Sequence, residues 1–381
     1  MKILAVIDSF KGSMSSLEAG QAAASGILRA DPSAEVNVRA LADGGEGTVE
    51  ALISNMNGRL RSIKVTGPLG DPVVCEYGII DASKTAVIEM AGAAGLVLVP
   101  EEKRNPLYTT TYGVGEVIRD AIGQGCRRFI VGIGGSATND GGIGMLQALG
   151  YGFLNKKGHQ VPYGAVGLKE LENITEDFVI PELSQCHFRI ACDVRNTLCG
   201  ELGCSAVFGP QKGATPGMIM QMDKWLAYYA ALAREKYPKA DPKAEGTGAA
   251  GGLGFAFLTF TNAQLEPGIE IVLEEAHLED SIKEADLIIT GEGRLDGQTA
   301  MGKAPVGIAR LAQKHGKTVV ALAGSVTPDA RACNKEGICA YFPIVRGAVS
   351  LEEAMKKNNA MENMADTAEQ VFRLYRTKED K

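Results

Sequence analysis

The chain has 381 residues, of which 45% are apolar and 22% charged, with a net charge of −7 at pH 7. That composition supports a sizeable core and excludes wholesale disorder, and the acidic balance argues against a nucleic-acid partner. Glycine is the outlier at 47 residues; with no Gly-X-Y period it excludes collagen, and at ~150 residues per domain the length predicts two or three domains.

The eight cysteines form no CxxC pair and the four histidines have no spaced partners, so a zinc site is not expected. The apolar opening, Ile3 to Ile7, runs straight into Asp8 and is too short for a signal peptide. No uncharged apolar run reaches the length of a membrane span. These features predict a cytoplasmic protein with reduced thiols and no membrane partner.

In chain order, Lys2–Ile7 reads as a buried strand, followed by the loop DSFKGS and a helix to about Ala30, opened by the capping-box pattern Ser15 to Glu18. The unit recurs. A strand at 36–41 leads into ADGGEG and a helix from Thr48. One at 128–133 leads into GGSATNDGG and a helix through Leu149. One at 287–290 leads into the loop GEGRLDG and a helix from Pro305, and one at 317–323 leads into GSVTPD. Residues 59–89 read as short strands with turns at Gly67-Pro68 and Gly70-Asp71, and residues 238–252 as a mobile connection. Strand, glycine loop, helix is the βα unit of a parallel sheet. The expected fold is therefore α/β, with two domains of mainly parallel sheet. The second, residues 66–284, is inserted into a first made of residues 1–65 and 285–381.

Ligands bind outside the carboxyl ends of strands in such sheets. Glycine there lets backbone N–H groups approach an anion, and adjacent carboxylates suit Mg²⁺ bridged to phosphates. Two familiar motifs are near misses. Gly297 to Lys303 almost spells a P-loop, but Ala304 stands where the metal-binding hydroxyl belongs. Gly132-Ile-Gly134-Gly-Ser-Ala137 follows a strand as a dinucleotide-binding turn does, but Asn139-Asp140-Gly-Gly interrupts the expected helix. A nucleotide-cofactor-dependent oxidoreductase and a non-catalytic nucleotide sensor are thus the competing readings.

Six motifs, in order from one end of the chain to the other, carry a resemblance: Asp8-Ser-Phe-Lys11-Gly-Ser13, Ala42-Asp43-Gly-Gly-Glu46-Gly-Thr48, Gly132-Ile-Gly134-Gly-Ser-Ala-Thr-Asn139-Asp140-Gly-Gly, Gly209-Pro-Gln-Lys212-Gly, Gly248-Ala-Ala-Gly-Gly-Leu-Gly254 and Thr290-Gly-Glu292-Gly-Arg294-Leu-Asp296-Gly-Gln. The chain resembles the glycerate kinases of the bacterial glycerate 2-kinase type. One segment departs, because Thr197 stands after Asn196 where that family usually has proline. The resemblance implies transfer of the γ-phosphate of ATP to D-glycerate with Mg²⁺, and two α/β domains with the site in a cleft between them. Whether the protein forms a homodimer stays open.

Asp193, leaving the strand that ends at Cys192, is the expected general base, with Lys11 as catalytic partner. Asp8, Ser9, Lys11, Asn196 and Arg294 are the expected substrate contacts. Gly134, Gly135, Ser136, Thr138, Lys212 and Lys303 are the expected phosphate or nucleotide contacts. Asp43, Glu46, Asp140, Glu292 and Asp296 are the candidate metal ligands. Several of these acids also read as helix caps, and Lys11 and Lys212 as solvated lysines.

Overall fold

The computed structural model describes residues 1–377. Its strands are β1 (Lys2–Ile7), β2 (Glu35–Ala40), β3 (Arg59–Thr66), β4 (Pro72–Ile80), β5 (Thr85–Glu89), β6 (Arg128–Gly132), β7 (Gly152–Leu154), β8 (Asn173–Thr175), β9 (His187–Ala191), β10 (Ala263–Glu266), β11 (Leu287–Leu295), β12 (Thr318–Val326) and β13 (Ala340–Pro343). They form two α/β units. The first comprises Met1–Asp43, Glu50–Met56 and the chain from Ile269 on; the second comprises Gly44–Val49 and Asn57–Gly268.

The first unit holds an all-parallel five-stranded sheet in the order β13-β12-β11-β1-β2. Its central strands, β1 and the first halves of β11 and β12, are apolar runs buried on both faces, as parallel sheets require. On one face the helices Ser16–Ala30 and Lys357–Arg376 share a core with Ile3, Ile7, Leu287, Ile289, Val320 and Leu322. The alternate residues Leu4, Val6, Ile288 and Ala321 are also buried, and the helix Ala304–Lys314 packs on β11 and β12. The capping box forms as expected: Ser15 accepts from the N–H of Glu18, whose side chain accepts from the N–H of Ser15. The next residue, Ser16, donates from its hydroxyl to the carbonyl of Ile7 and accepts from the N–H of Leu41 at 2.7 Å. One side chain thus ties the chain leaving β1 to the chain leaving β2.

The second unit holds a six-stranded sheet in the order β10-β9-β6-β5-β4-β3, parallel from β10 to β5 and antiparallel at β4 and β3, with a small antiparallel pair β7-β8. The unit limits differ from the expected 65/66 and 284/285 for visible reasons. β3 pairs along its length with β4, from Arg59 opposite Ile79 to Thr66 opposite Pro72. The helices that begin near Ile269 and at Leu278 pack with the first unit, where a Cβ on Gly307 would lie 2.4 Å from the Ile269 side chain.

Residues 238–252 are not a mobile connection. Ala240, Thr247 and Ala249 are buried, the N–H of Leu198 donates to Pro242 and that of Gly248 to Asn196. Ala250, Gly251 and Gly252 are consecutively left-handed, with φ of 51°, 67° and 94°, and the carbonyl of Gly251 accepts from the N–H of Gly141. A Cβ on Gly251 would stand 2.0 Å from the Thr138 carbonyl oxygen. The lysines and glycines that read as a flexible tract are instead a backbone-on-backbone contact. Among the described residues no helix is long and apolar enough to cross a membrane.

The tightest helix contact in the first unit is at Gly26, where a Cβ would come within 1.8 Å of the Ala365 carbonyl oxygen. Overpacking of this kind typically costs about 1–3 kcal/mol or more. Gly26→Ala is expected to lower the urea midpoint accordingly, although alanine is the better helix former; an unchanged midpoint would show that the two helices can part freely.

Candidate active site

In the first sheet the chain steps from β1 to β2 on one side, whereas β11, β12 and β13 lie on the other. The strand order reverses between β1 and β11, and open α/β sheets place ligands beyond the carboxyl ends at such a point. A cavity of about 610 Å³ lies there. β1 delivers Asp8, Ser9, Phe10 and Lys11 to it, and the end of β2 delivers Asp43. The β11 segment supplies Glu292, Gly293, Arg294 and Asp296, followed by Gln298 and Lys303.

The sequence GEGRLDG is not a loop. β11 continues through it to Leu295, and β12 likewise continues through Gly324 and Ser325 to Val326, with Arg294 opposite Ser325. The glycines serve close backbone approach. A Cβ on Gly291 would lie 1.9 Å from the Leu322 carbonyl oxygen, and one on Gly324 2.5 Å from that of Gly293. Glu292 and Arg294 therefore stand on a paired strand, a stiffer support than a turn.

Asp8 is 6% exposed and Glu292 8%. Burial raises the Asp8 carboxyl to about 7; the negative charges of Asp43 and Glu292 push the same way, opposed by the Ser9 N–H at 2.7 Å and the Lys11 ammonium. Burial also raises Glu292, against a hydrogen bond from the Thr299 hydroxyl at 2.6 Å and the charge of Lys303. Asp296 is committed locally. One of its oxygens accepts from the N–H groups of Gln298 and Thr299, and the other faces Arg294 at 3.5 Å. The hydroxyls of Ser9 and Ser13 are buried and have no hydrogen-bond partner among the described residues. Two orphan hydroxyls beside a cavity are groups a polar ligand can satisfy. Ser13 was not among the expected site residues, since nothing distinguishes it in sequence from a turn serine. Also unforeseen is an apolar wall on the same cavity: Ile344, Val345, Leu351, Ala354, Met355 and Ala360.

The remaining candidates belong to the second unit. Asp140 is fully buried and its oxygens accept from the N–H and hydroxyl of Thr111, each at 2.9 Å, and from the N–H of Gly142 at 3.1 Å. It anchors its own loop through these bonds. Lys212 is 1% exposed and donates to the Ser136 hydroxyl at 2.8 Å and the Thr138 carbonyl at 2.6 Å. Burial lowers its ammonium to about 8. It is not a solvated lysine; it braces the loop after β6 from inside, and the Ser136 hydroxyl and the Thr138 carbonyl are its acceptors. Gly134 and Gly135 remain exposed on that loop. No helix follows them directly, since the next one is Ile143–Ala148, so the dinucleotide-binding turn is not formed. Asp193 is exposed and accepts from the N–H of Gly268 at 3.1 Å, and the Asn196 side chain donates to the Leu202 carbonyl. Glu46 is exposed on the segment before Thr48, where the N–H of Val49 donates to Glu89 at 2.9 Å. Among the described residues no group of three or more His, Cys, Asp or Glu side chains is placed to hold a metal ion, so the five acids do not form one metal cluster.

Comparison with known proteins identifies the family. Residues 3–376 match the model of the glycerate kinase family. The chain is 46% identical over 374 residues to a glycerate kinase of Haemophilus influenzae, covering 98% of each chain. It is 45% identical over 356 residues to the glycerate 2-kinase of Escherichia coli, covering 93% of each. A crystal structure of a Salmonella typhimurium LT2 protein assigned as glycerate kinase 2 superposes with a TM-score of 0.91 at 45% identity, covering 100% of both chains. With its whole length matched in sequence and in fold, the chain belongs to the glycerate kinase family and is a phosphotransferase.

Proposed function

We propose that the protein transfers the γ-phosphate of ATP to the 2-hydroxyl of D-glycerate, with Mg²⁺, in the cytoplasm. The observation that carries this reading is the first-unit cavity, in which a buried carboxyl of raised proton affinity, Asp8, shares a wall with Lys11, Arg294 and Lys303. A small hydroxy acid needs a cation for its carboxylate and a base for its hydroxyl. The name of the Escherichia coli relative, glycerate 2-kinase, supports the position of transfer. The absence of disulfides among its cysteines supports the compartment.

Lys11 and Arg294 are the proposed partners of the glycerate carboxylate. Lys303, with the orphan hydroxyls of Ser9 and Ser13, is placed to meet phosphate oxygens. Mg²⁺ characteristically keeps several waters and takes only one or two protein carboxylates beside substrate phosphates. Asp43 and Glu292 fit that demand, and the mutual repulsion of the buried acids gives a cation a reason to enter. When bound, the ion would neutralise charge on the phosphates. Asp8 is the proposed base because burial leaves its carboxylate basic near neutral pH. Asp193, solvated and held by Gly268, is the rival.

The first test is an ADP-release assay with D-glycerate followed by phosphorus NMR of the product. The expected signal is 2-phosphoglycerate; a 3-phosphoglycerate signal would refute the position, and turnover with a nicotinamide cofactor instead would sink the kinase reading.

Asp8→Asn is expected to lower kcat by ~10²–10⁴, the usual worth of general-base help, whereas Asp193→Asn changes it far less. The same group sets a pH dependence. A carboxyl raised in the folded state stabilises the fold below its unfolded value, near 4, and that contribution is lost as pH climbs through 7. In EDTA, wild-type stability should therefore fall between pH 4 and 8, and Asp8→Asn should be more stable than wild type at pH 8 by up to about 4 kcal/mol. Urea melts at both pH values check this; a flat wild-type profile would mean that Asp8 is not held in a repulsive, dehydrated site.

A further inference from the structure

The cavity is too large and too apolar for its acceptor alone. Glycerate has three carbons, each bearing oxygen, and presents no apolar face. Yet one side of the roughly 610 Å³ cavity is built of Ile344, Val345, Leu351, Ala354 and Met355. This wall is a fixed element. The Ser350 hydroxyl caps the helix Leu351–Met355 through the N–H of Glu353 at 3.1 Å, and the Glu353 carboxylate accepts from Lys356 and from Asn359 at 2.7 Å. Leu351 is nonetheless 76% exposed at the rim. Gly12, left-handed at φ +75°, packs against the inner end of the wall: a Cβ there would lie 3.1 Å from the Met355 methyl, so the turn fixes the thioether in place. A thioether and a leucine on one wall, and Lys11, Arg294 and Lys303 in the same cavity, give it an apolar side and a charged end. Methionine adapts to flat aromatic faces, and sulfur–aromatic contact is favourable.

We infer that the apolar wall carried by the Leu351–Met355 helix is the nucleobase subsite of the phosphoryl donor. The purine lies against Leu351 and Met355, and its phosphates reach the cationic end of the same cavity. This rests on the reading of ATP as donor and deepens it. The base subsite then lies in the first unit, not on the glycine loop after β6.

The test separates base from phosphate. Full-length wild type, Leu351→Ser and Met355→Ser are titrated by calorimetry with ADP and with inorganic tripolyphosphate, which carries the charge and no base. Steady-state KM values for ATP and D-glycerate are measured in parallel. Leu351 is solvated, so its variant should melt as wild type does, and it keeps the experiment informative if Met355→Ser is unstable. The expected result is about tenfold weaker ADP binding and a raised KM for ATP, with tripolyphosphate affinity and the KM for D-glycerate unchanged. Equal weakening of ADP and tripolyphosphate, no weakening of either, or a rise confined to the KM for D-glycerate would overturn the subsite. If wild type releases no ADP from ATP with D-glycerate, the donor reading itself falls, and the subsite with it.

Discussion

One backbone hydrogen bond organises the site: the N–H of Asp8 donates to the carbonyl of Gly291 at 2.9 Å. It continues the parallel pairing of β1 with β11, in which Ile3 faces Leu287 and Ala5 faces Ile289. With that register set, the residue after β1 and the residue after Gly291 are both acids, and both are carried into a dehydrated corner with Asp43 nearby. A one-residue slip would turn every side chain of the strand to the other face. Backbone bonds at both ends of the pair, from the N–H of Asp286 to the Lys2 carbonyl at 2.8 Å and from that of Asp8 to Gly291, hold the register against that slip. The core therefore supports the chemistry, and three of its members, Phe10, Ile344 and Ala360, reach the cavity wall.

The arrangement sets function against stability. Burial and like charge disfavour ionised Asp8, and the fold tolerates this because β1 and β11 are anchored along their whole length. Strained or repulsive groups of this kind persist where the surroundings over-determine them. The second unit shows the opposite solution. Asp140, just as buried, is surrounded by donors and becomes a structural anchor. Two buried aspartates thus take different parts according to whether backbone N–H groups or other carboxylates face them.

Much of this was legible in the amino-acid order. The alternation of apolar run, glycine segment and amphipathic helix marks the βα units, and Ser15 with Glu18 marks a helix start that forms as read. The ordered glycine-acid motifs point to the family directly. Other features depend on partners distant in the chain. Gly-Glu-Gly-Arg-Leu-Asp-Gly has the composition of a turn, and only the adjacency of Gly291 to Leu322 turns it into strand. Lys212 between glycines looks solvated until Ser136 and Thr138 enclose it. The apolar wall from Ile344 to Met355 carries no motif at all, since its residues matter by facing Lys11 and Gly12 rather than by their spacing.

The way the first sheet is threaded also bears on how the protein is made. Lys2 hydrogen-bonds to Asp286, 284 residues away. A ribosome adding ~5–20 residues per second leaves β1 without its partner β11 for roughly 15–60 s. During that interval the second unit, nearly continuous from Asn57 to Gly268, has all its strands and can close. The nascent amino-terminal βαβ unit of β1, helix and β2 meanwhile leaves one edge of β1 unpaired. The corner that sets Asp8 beside Glu292 therefore forms only after β11 has been made, late in the synthesis of the chain.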